Sequence, residues 1–217
     1  LPVPHYIALV RDFRVEPAWP TQTAGAETSL LFLHADGVLH AASESAIGHL
    51  GDVEIVVCET SWRRRMGSAA PAGHARRGTL VEFFDRLDRA ACVHCVGLGG
   101  TSATRHSPGM RLCIEIGFAP ADDCQRREAL EFALAAAALE LDAEVRFTGP
   151  GCEHLTATGA RGWQQFLDHD LLPLMADVAE WRGGPDRLPA GVKIGRFDTP
   201  ASPGSAVLPA DRTILRL

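Results

Sequence analysis

Short apolar runs recur along this chain, separated by helical segments, and they lack a clean period-2 alternation of polar and apolar residues. A strand that is apolar throughout has to be buried on both faces, so the pattern predicts an α/β fold with parallel sheets covered by helices on either side. The first such runs are His5–Val10, Ser29–His34 (closed by the turn pair Asp36-Gly37), Val53–Val57, which ends on Cys58, and Ala91–Val96. Between them, Glu59–Arg65 reads as a helix start and Thr79–Asp88 as an amphipathic helix, while the Pro-rich stretch Glu16–Thr23 cannot hold a long helix. Gly97–Gly109 is Gly-rich and reads as a linker. Beyond it the pattern begins again. Arg111–Phe118, Ala143–Thr148 and Thr213–Leu217 read as strands, and Arg126–Glu140 is the strongest helix, rich in Ala, Leu and Glu. Trp163–Glu180 reads as one or two helices broken near Pro173, and Val192–Phe197 as a short strand or extended loop.

The two stretches can be laid over each other. Leu31–His40 (LFLHADGVLH) sits against Val145–His154 (VRFTGPGCEH): in both, a strand runs into a glycine turn and a histidine follows three residues after the glycine. Asp88-Arg89 and Asp211-Arg212 each precede a closing strand. Paired features in the same order predict an internal repeat, with halves at 1–100 and 110–217 and residues 101–109 between them. At roughly 100 residues, each half is long enough to bury its own core.

Composition narrows the function classes. Of 217 residues, 46% are hydrophobic and 22% charged, the balance of a globular protein. A net charge of −6 argues against wholesale nucleic-acid binding, which needs a surplus of Lys and Arg. No apolar run reaches the length of a membrane span; the longest, near Leu130–Leu139, contains Glu131. Pro2, Pro4 and His5 interrupt any signal-peptide core at the start, and the six cysteines have no disulfide-scaffold spacing, so reduced thiols and a cytoplasmic address are expected.

Cys58 is the leading candidate for chemistry. It stands at the carboxyl end of an apolar strand, where open α/β sheets bind their ligands, and immediately before a helix start. The positive end of that helix, together with Arg63, Arg64 and Arg65, favours thiolate over thiol. The competing reading is a small hydrophobe that ends a buried strand. Cys92 and Cys95 have CxxC spacing but lie in an apparent strand, where positions i and i+3 face opposite sides, so structural burial is expected and no metal site is called. Cys113 is mid-strand and Cys124 on a helix-start loop; Cys152, after a glycine turn, is a secondary candidate for an exposed reactive thiol. His40 and His154, equivalent in the overlay, either line a cleft or are ordinary surface or cap histidines. Gly97-Leu98-Gly99-Gly100 lacks the spacing of a dinucleotide or phosphate loop, and no cofactor is implied.

Val53–Met66 (VEIVVCETSWRRRM) resembles the strand–cysteine–helix segment of the DsrE/TusD-type sulfur-relay proteins. Ser29–Ala41 (SLLFLHADGVLHA) is similar to that family's strand with its Asp-Gly-Val turn, and Gly78–Val93 to its closing helix and Asp-Arg strand. Phe118–Leu139 resembles the first turn and helix of the TusC/DsrF-type members. The resemblance implies a flavodoxin-like αβα layer fold in each half, sulfur carried as a persulfide on Cys58 and passed between donor and acceptor protein thiols, and homo-oligomeric assembly. The second-half segment that matches Cys58 falls near Ala176–Ala179 and has no cysteine, which implies a structural role for that half. On this reading Arg63 to Arg65 favour the thiolate and His40 lines the same cleft. The rival expectations are a non-catalytic assembly module and a small-ligand binder at the strand ends.

Overall fold

In the computed structural model, which describes residues 5–13, 27–50, 53–97, 100–106, 109–179, 181–195 and 212–217, the apolar runs form two sheets, one in each of two units, Leu1–Gly109 and Met110–Leu217. The first sheet contains β1 (His5–Val10), β2 (Glu27–Leu33), β3 (Glu54–Cys58), β4 (Arg76–Gly78), β5 (Ala90–Gly97) and β6 (Gly100–Arg105), in the order β4-β3-β2-β1-β5-β6. All neighbours are parallel except β6, which runs antiparallel to β5. The second contains β7 (Arg111–Ile116), β8 (Ala143–Thr148), β9 (Leu174–Asp177), β10 (Lys193–Ile194) and β11 (Arg212–Arg216), all parallel, in the order β10-β9-β8-β7-β11. The α/β class and parallel pairing expected from the apolar runs are present in both units.

Both faces of the first sheet are covered, as its apolar strands require. On one face Val10, Leu33 and Val57 pack under Val38 of the 3-10 segment Ala35–Ala42, Ile47 of α1 (Glu44–Ile47) and Trp62 of α2 (Glu59–Met66). On the other, α3 (Leu80–Leu87) buries Phe83, Phe84 and Leu87, and the rings of Phe32 and Phe83 lie 5.0 Å apart. The entry to α3 is set locally: Thr79 Oγ1 accepts a hydrogen bond from Glu82 N, the first half of a Thr-x-x-Glu capping box.

In the second unit, one sheet face is apolar, with Phe147 edge-on to Trp163 at 4.9 Å beneath α5 (Ala157–Asp168). α4 (Asp123–Ala138) buries Phe132, Ala133 and Ala136; Asp122 caps it by accepting from Gln125 N. A β-carbon on Gly162 of α5 would come within 2.5 Å of the Leu130 side chain, so α4 and α5 meet closely there. The strand residues of opposite parity carry charge. Glu144 of β8 accepts from Arg146 Nε at 2.6 Å and from Arg212 Nη1 at 3.1 Å, with Arg111 Nη2 3.6 Å away.

Two expectations are corrected by the pairing. Gly100–Arg105, read as linker, is strand β6; its small polar residues carry no apolar pattern because an edge strand is held by one ladder alone. Trp163–Glu180 is not helical throughout: α5 ends at Asp168, Asp170 takes φ 48°, and Leu174–Asp177 becomes β9 between β8 and β10. Leu, Met and Ala favour helix in isolation, and burial between two neighbouring strands overrides that preference. Arg76–Gly78 forms the edge strand β4, with Arg76 held by Glu54 and Glu82. The Pro-rich stretch Glu16–Thr23 lies outside the described residues.

Candidate functional site

The carboxyl ends of β1, β2 and β3 gather most of the buried polar groups of the first unit. Arg11 and Asp12 follow β1, His34 follows β2, and Ser61 lies in the first turn of α2; all four are buried. A ridge-tight turn brings them together. Gly37 N donates to Arg11 O at 3.0 Å and Ala35 N donates to Ser61 Oγ at 3.1 Å, which ties the 3-10 segment to β1 on one side and α2 on the other.

Cys58 closes β3 and is the N-cap residue of α2, with φ −54° and ψ 115° and no side-chain capping bond. It pairs in register with Gly78 of β4, and the next residue, Thr79, caps α3. The thiol therefore belongs to a backbone position flanked by two helix starts, whose partial positive charge favours an anion. It is 3% exposed.

His34 is the residue next to Cys58 across the strand ends, since Leu33 pairs with Val57. Arg11 Nε donates to His34 Nδ1 at 3.2 Å. A guanidinium has no acceptor atom, so Nδ1 carries the lone pair and the ring proton sits on Nε2. Burial, followed by the charges of Arg11, Arg65 and Arg64, holds the pKa well below the ordinary histidine value. His34 is thus a neutral imidazole at the strand ends.

The three arginines expected around Cys58 separate. Arg63 is 67% exposed on its side chain and pairs with Glu59 one turn back at 2.8 Å. Arg64 is exposed and contributes charge at His34. Arg65 is only 13% exposed; its Nε and Nη2 both lie 2.8 Å from Asp36 Oδ1, and Nη1 donates to Ser61 O at 3.3 Å. All three occupy the last turn of α2, the end opposite Cys58, on a helix about 12 Å long. His40 is buried, with Nε2 3.3 Å from Asp12 O and its ring 5.0 Å from Phe13, so it attends the end of β1. His154 is likewise buried, edge-on to Phe118 at 5.1 Å. Neither is the surface histidine that was the alternative.

Cys152 is corrected from an exposed candidate to a fully buried thiol. Its Sγ donates to Phe147 O at 3.7 Å and Asp177 O at 3.5 Å, and burial pushes its pKa up to about 11. Burial also pushes Cys113 up to about 12. Cys95 is buried on β5, Cys92 on the same strand is half-buried, and Cys124 is half-buried in the first turn of α4. Among the described residues no group of three or more His, Cys, Asp or Glu side chains is placed to hold a metal ion. Where β3 ends on Cys58, β9 ends on Asp177, whose Oδ1 accepts from Ala179 N at 3.0 Å.

Sequence reasoning passed over Arg11, His34 and Ser61. The available signal was a polar residue directly after each buried run, Val10-Arg11 and Leu33-His34, in a position that reads equally well as an ordinary turn. No family model, curated protein or solved structure matches the chain significantly.

Proposed function

We propose that this protein carries sulfur as a persulfide on Cys58, in the manner of the DsrE-like sulfur-relay proteins that its sequence resembles. The observation that carries the reading is the place of Cys58 at the end of β3, as N-cap of α2 and in register with the residue before the α3 cap. In the transfer, the Cys58 thiolate attacks the outer sulfur of a donor protein's persulfide. A sulfur–sulfur bond to Cys58 forms, the donor's sulfur–sulfur bond breaks, and the donor leaves as a thiolate, with no net oxidation. The reverse step on an acceptor thiol completes the relay. With Cys58 at 3% exposure, access governs the rate, and the partner has to open the strand-end cover.

The reading includes a duplication of the two halves and assembly of like subunits in the cytoplasm. Four features support the duplication. Within each sheet the five parallel strands follow the same order, fourth-third-second-first-fifth along the chain. Ala35 and Gly149, equivalent in the overlay, both take positive φ, at 52° and 48°. A β-carbon on Gly37 would meet Val10 O, and one on Gly151 would meet Ile116 O. His40 and His154 each pack on an aromatic ring. In that alignment Asp177 stands where Cys58 does, so the second half is a scaffold without the thiol.

Incubation with inorganic polysulfide, followed by intact and peptide mass measurement, tests the function. One added sulfur on the Cys58 peptide, removed by dithiothreitol and absent from Cys58→Ser, is expected, with Cys113 and Cys152 unmodified. Equal loading of Cys58→Ser refutes the carrier. The burial of Cys58 favours a second reading, a non-catalytic assembly module. That reading is selected if native Cys58 takes no sulfur while Cys124 does.

A further inference from the structure

β5 holds a second thiol with a partner that the relay does not use. Residues i and i+2 of a strand share a face, so Cys92 and His94 stand side by side, and Sγ lies 3.7 Å from Nε2. Both side chains are half-buried, unlike Cys95, which the alternation turns to the opposite face and seals. A thiol against an imidazole nitrogen is the arrangement in which the ring relieves sulfur of its proton as the sulfur becomes a nucleophile. Burial lowers the pKa of His94, which leaves the ring neutral and able to receive that proton. Among the described residues, Cys95, the other cysteine of β5, lies on the opposite face of the strand.

We propose that Cys92 and His94 form a reversible thiol-modification site, independent of Cys58, that takes small-molecule disulfides. As Cys92 attacks one sulfur of the disulfide, His94 accepts the thiol proton. A mixed disulfide forms on Cys92, the small molecule's sulfur–sulfur bond breaks, and the departing thiolate recovers the proton from His94. The incoming disulfide is the only oxidant, and excess small thiol reverses the step.

The experiment uses the full chain carrying Cys58→Ser, exposed to oxidised glutathione and sampled over time by peptide mass. The expected result is a glutathione adduct on the Cys92 peptide, reversed by dithiothreitol, that forms about tenfold faster than on Cys124, the half-buried thiol of α4. His94→Gln should slow Cys92 by about tenfold and leave Cys124 unchanged. Continued protection of Cys95, the buried thiol of the same unit, shows that each variant remains folded there; if His94→Gln exposes it, His94→Asn replaces it, and the Cys92-to-Cys124 ratio in the His94 protein decides alone. Cys92 reacting no faster than Cys124, or at an unchanged rate in a folded His94 variant, overturns the proposal. Loss of polysulfide loading on Cys58 in the parent protein would leave this result untouched.

Discussion

Gly37 lets the 3-10 segment Ala35–Ala42 press against the end of β1, and replacing it with alanine tests whether that contact holds the strand ends together. A β-carbon there would lie 2.2 Å from Val10 O and 2.7 Å from Val10 C. That carbonyl cannot turn aside, because it accepts from His34 N at 2.9 Å and β1 is paired on both sides. Restoring ordinary contact requires the segment to lift by roughly 1 Å, an overpacking strain that costs about 1–3 kcal/mol. The same shift stretches Gly37 N to Arg11 O and Ala35 N to Ser61 Oγ, now 3.0 and 3.1 Å. Each weakened bond adds about 0.5–1.5 kcal/mol, for a total of roughly 2–6 kcal/mol. In urea, followed by circular dichroism, the first unit's transition should move down by roughly 1–3 M. Gly48→Ala is the control: its φ is −64° and its β-carbon would meet only Glu44 Cγ at 3.8 Å, so it should be neutral or slightly stabilising. If Gly37→Ala and Gly48→Ala unfold at the same urea concentration, the close-approach argument is refuted. Gly151→Ala, with its β-carbon 1.8 Å from Ile116 O, should act on the second unit in the same way.

Two more perturbations separate local from long-range effects. The folded pKa of His34 is depressed, so the unfolded chain takes up its proton first as pH falls below about 6.5, and stability present above that pH is lost on the way down to the folded value, with a slope near 1.4 kcal/mol per pH unit. Urea midpoints of the first unit between pH 8 and 5 should show this loss, and His34→Gln should reduce the slope; His94 and His106, also depressed by burial, account for what remains. An unchanged slope in His34→Gln contradicts the assignment. Glu144 is 5% exposed on its side chain between Arg146 and Arg212, and Glu144→Ala leaves those guanidinium groups facing one another at a cost of ~3–5 kcal/mol in the second unit, read as a lower urea midpoint. A midpoint within about 0.5 kcal/mol of the parent would show that the arginines find other partners.

The class of fold was legible in the sequence because burial on both faces leaves a local mark: Ile55-Val56-Val57 and Leu31-Phe32-Leu33 have no polar residue to turn outward. The strand–cysteine–helix order around Cys58 was legible for the same reason, since the apolar run Ile55–Cys58 followed by Glu59 and a helix pattern needs no distant partner to be recognised. The membrane reading was equally local, and no helix among the described residues is long and apolar enough to cross one. What the tertiary structure decided depends on residues far apart in the chain. β6 exists because Gly100–Arg105 meets β5, and β9 because Leu174–Asp177 is enclosed by β8 and β10; neither segment carries the pairing in its own composition. Asp36-Gly37 reads as a turn, yet the positive φ belongs to Ala35, and Gly37 is glycine because Val10, 27 residues earlier, leaves no room for a side chain. Arg65 was read as a partner for Cys58 and is bound to Asp36, and Cys152, read as exposed, lies sealed against Phe147 and Asp177. Periodicity reports which face of an element is apolar; how deep a side chain lies and which charge it meets are set by chain segments that periodicity does not see.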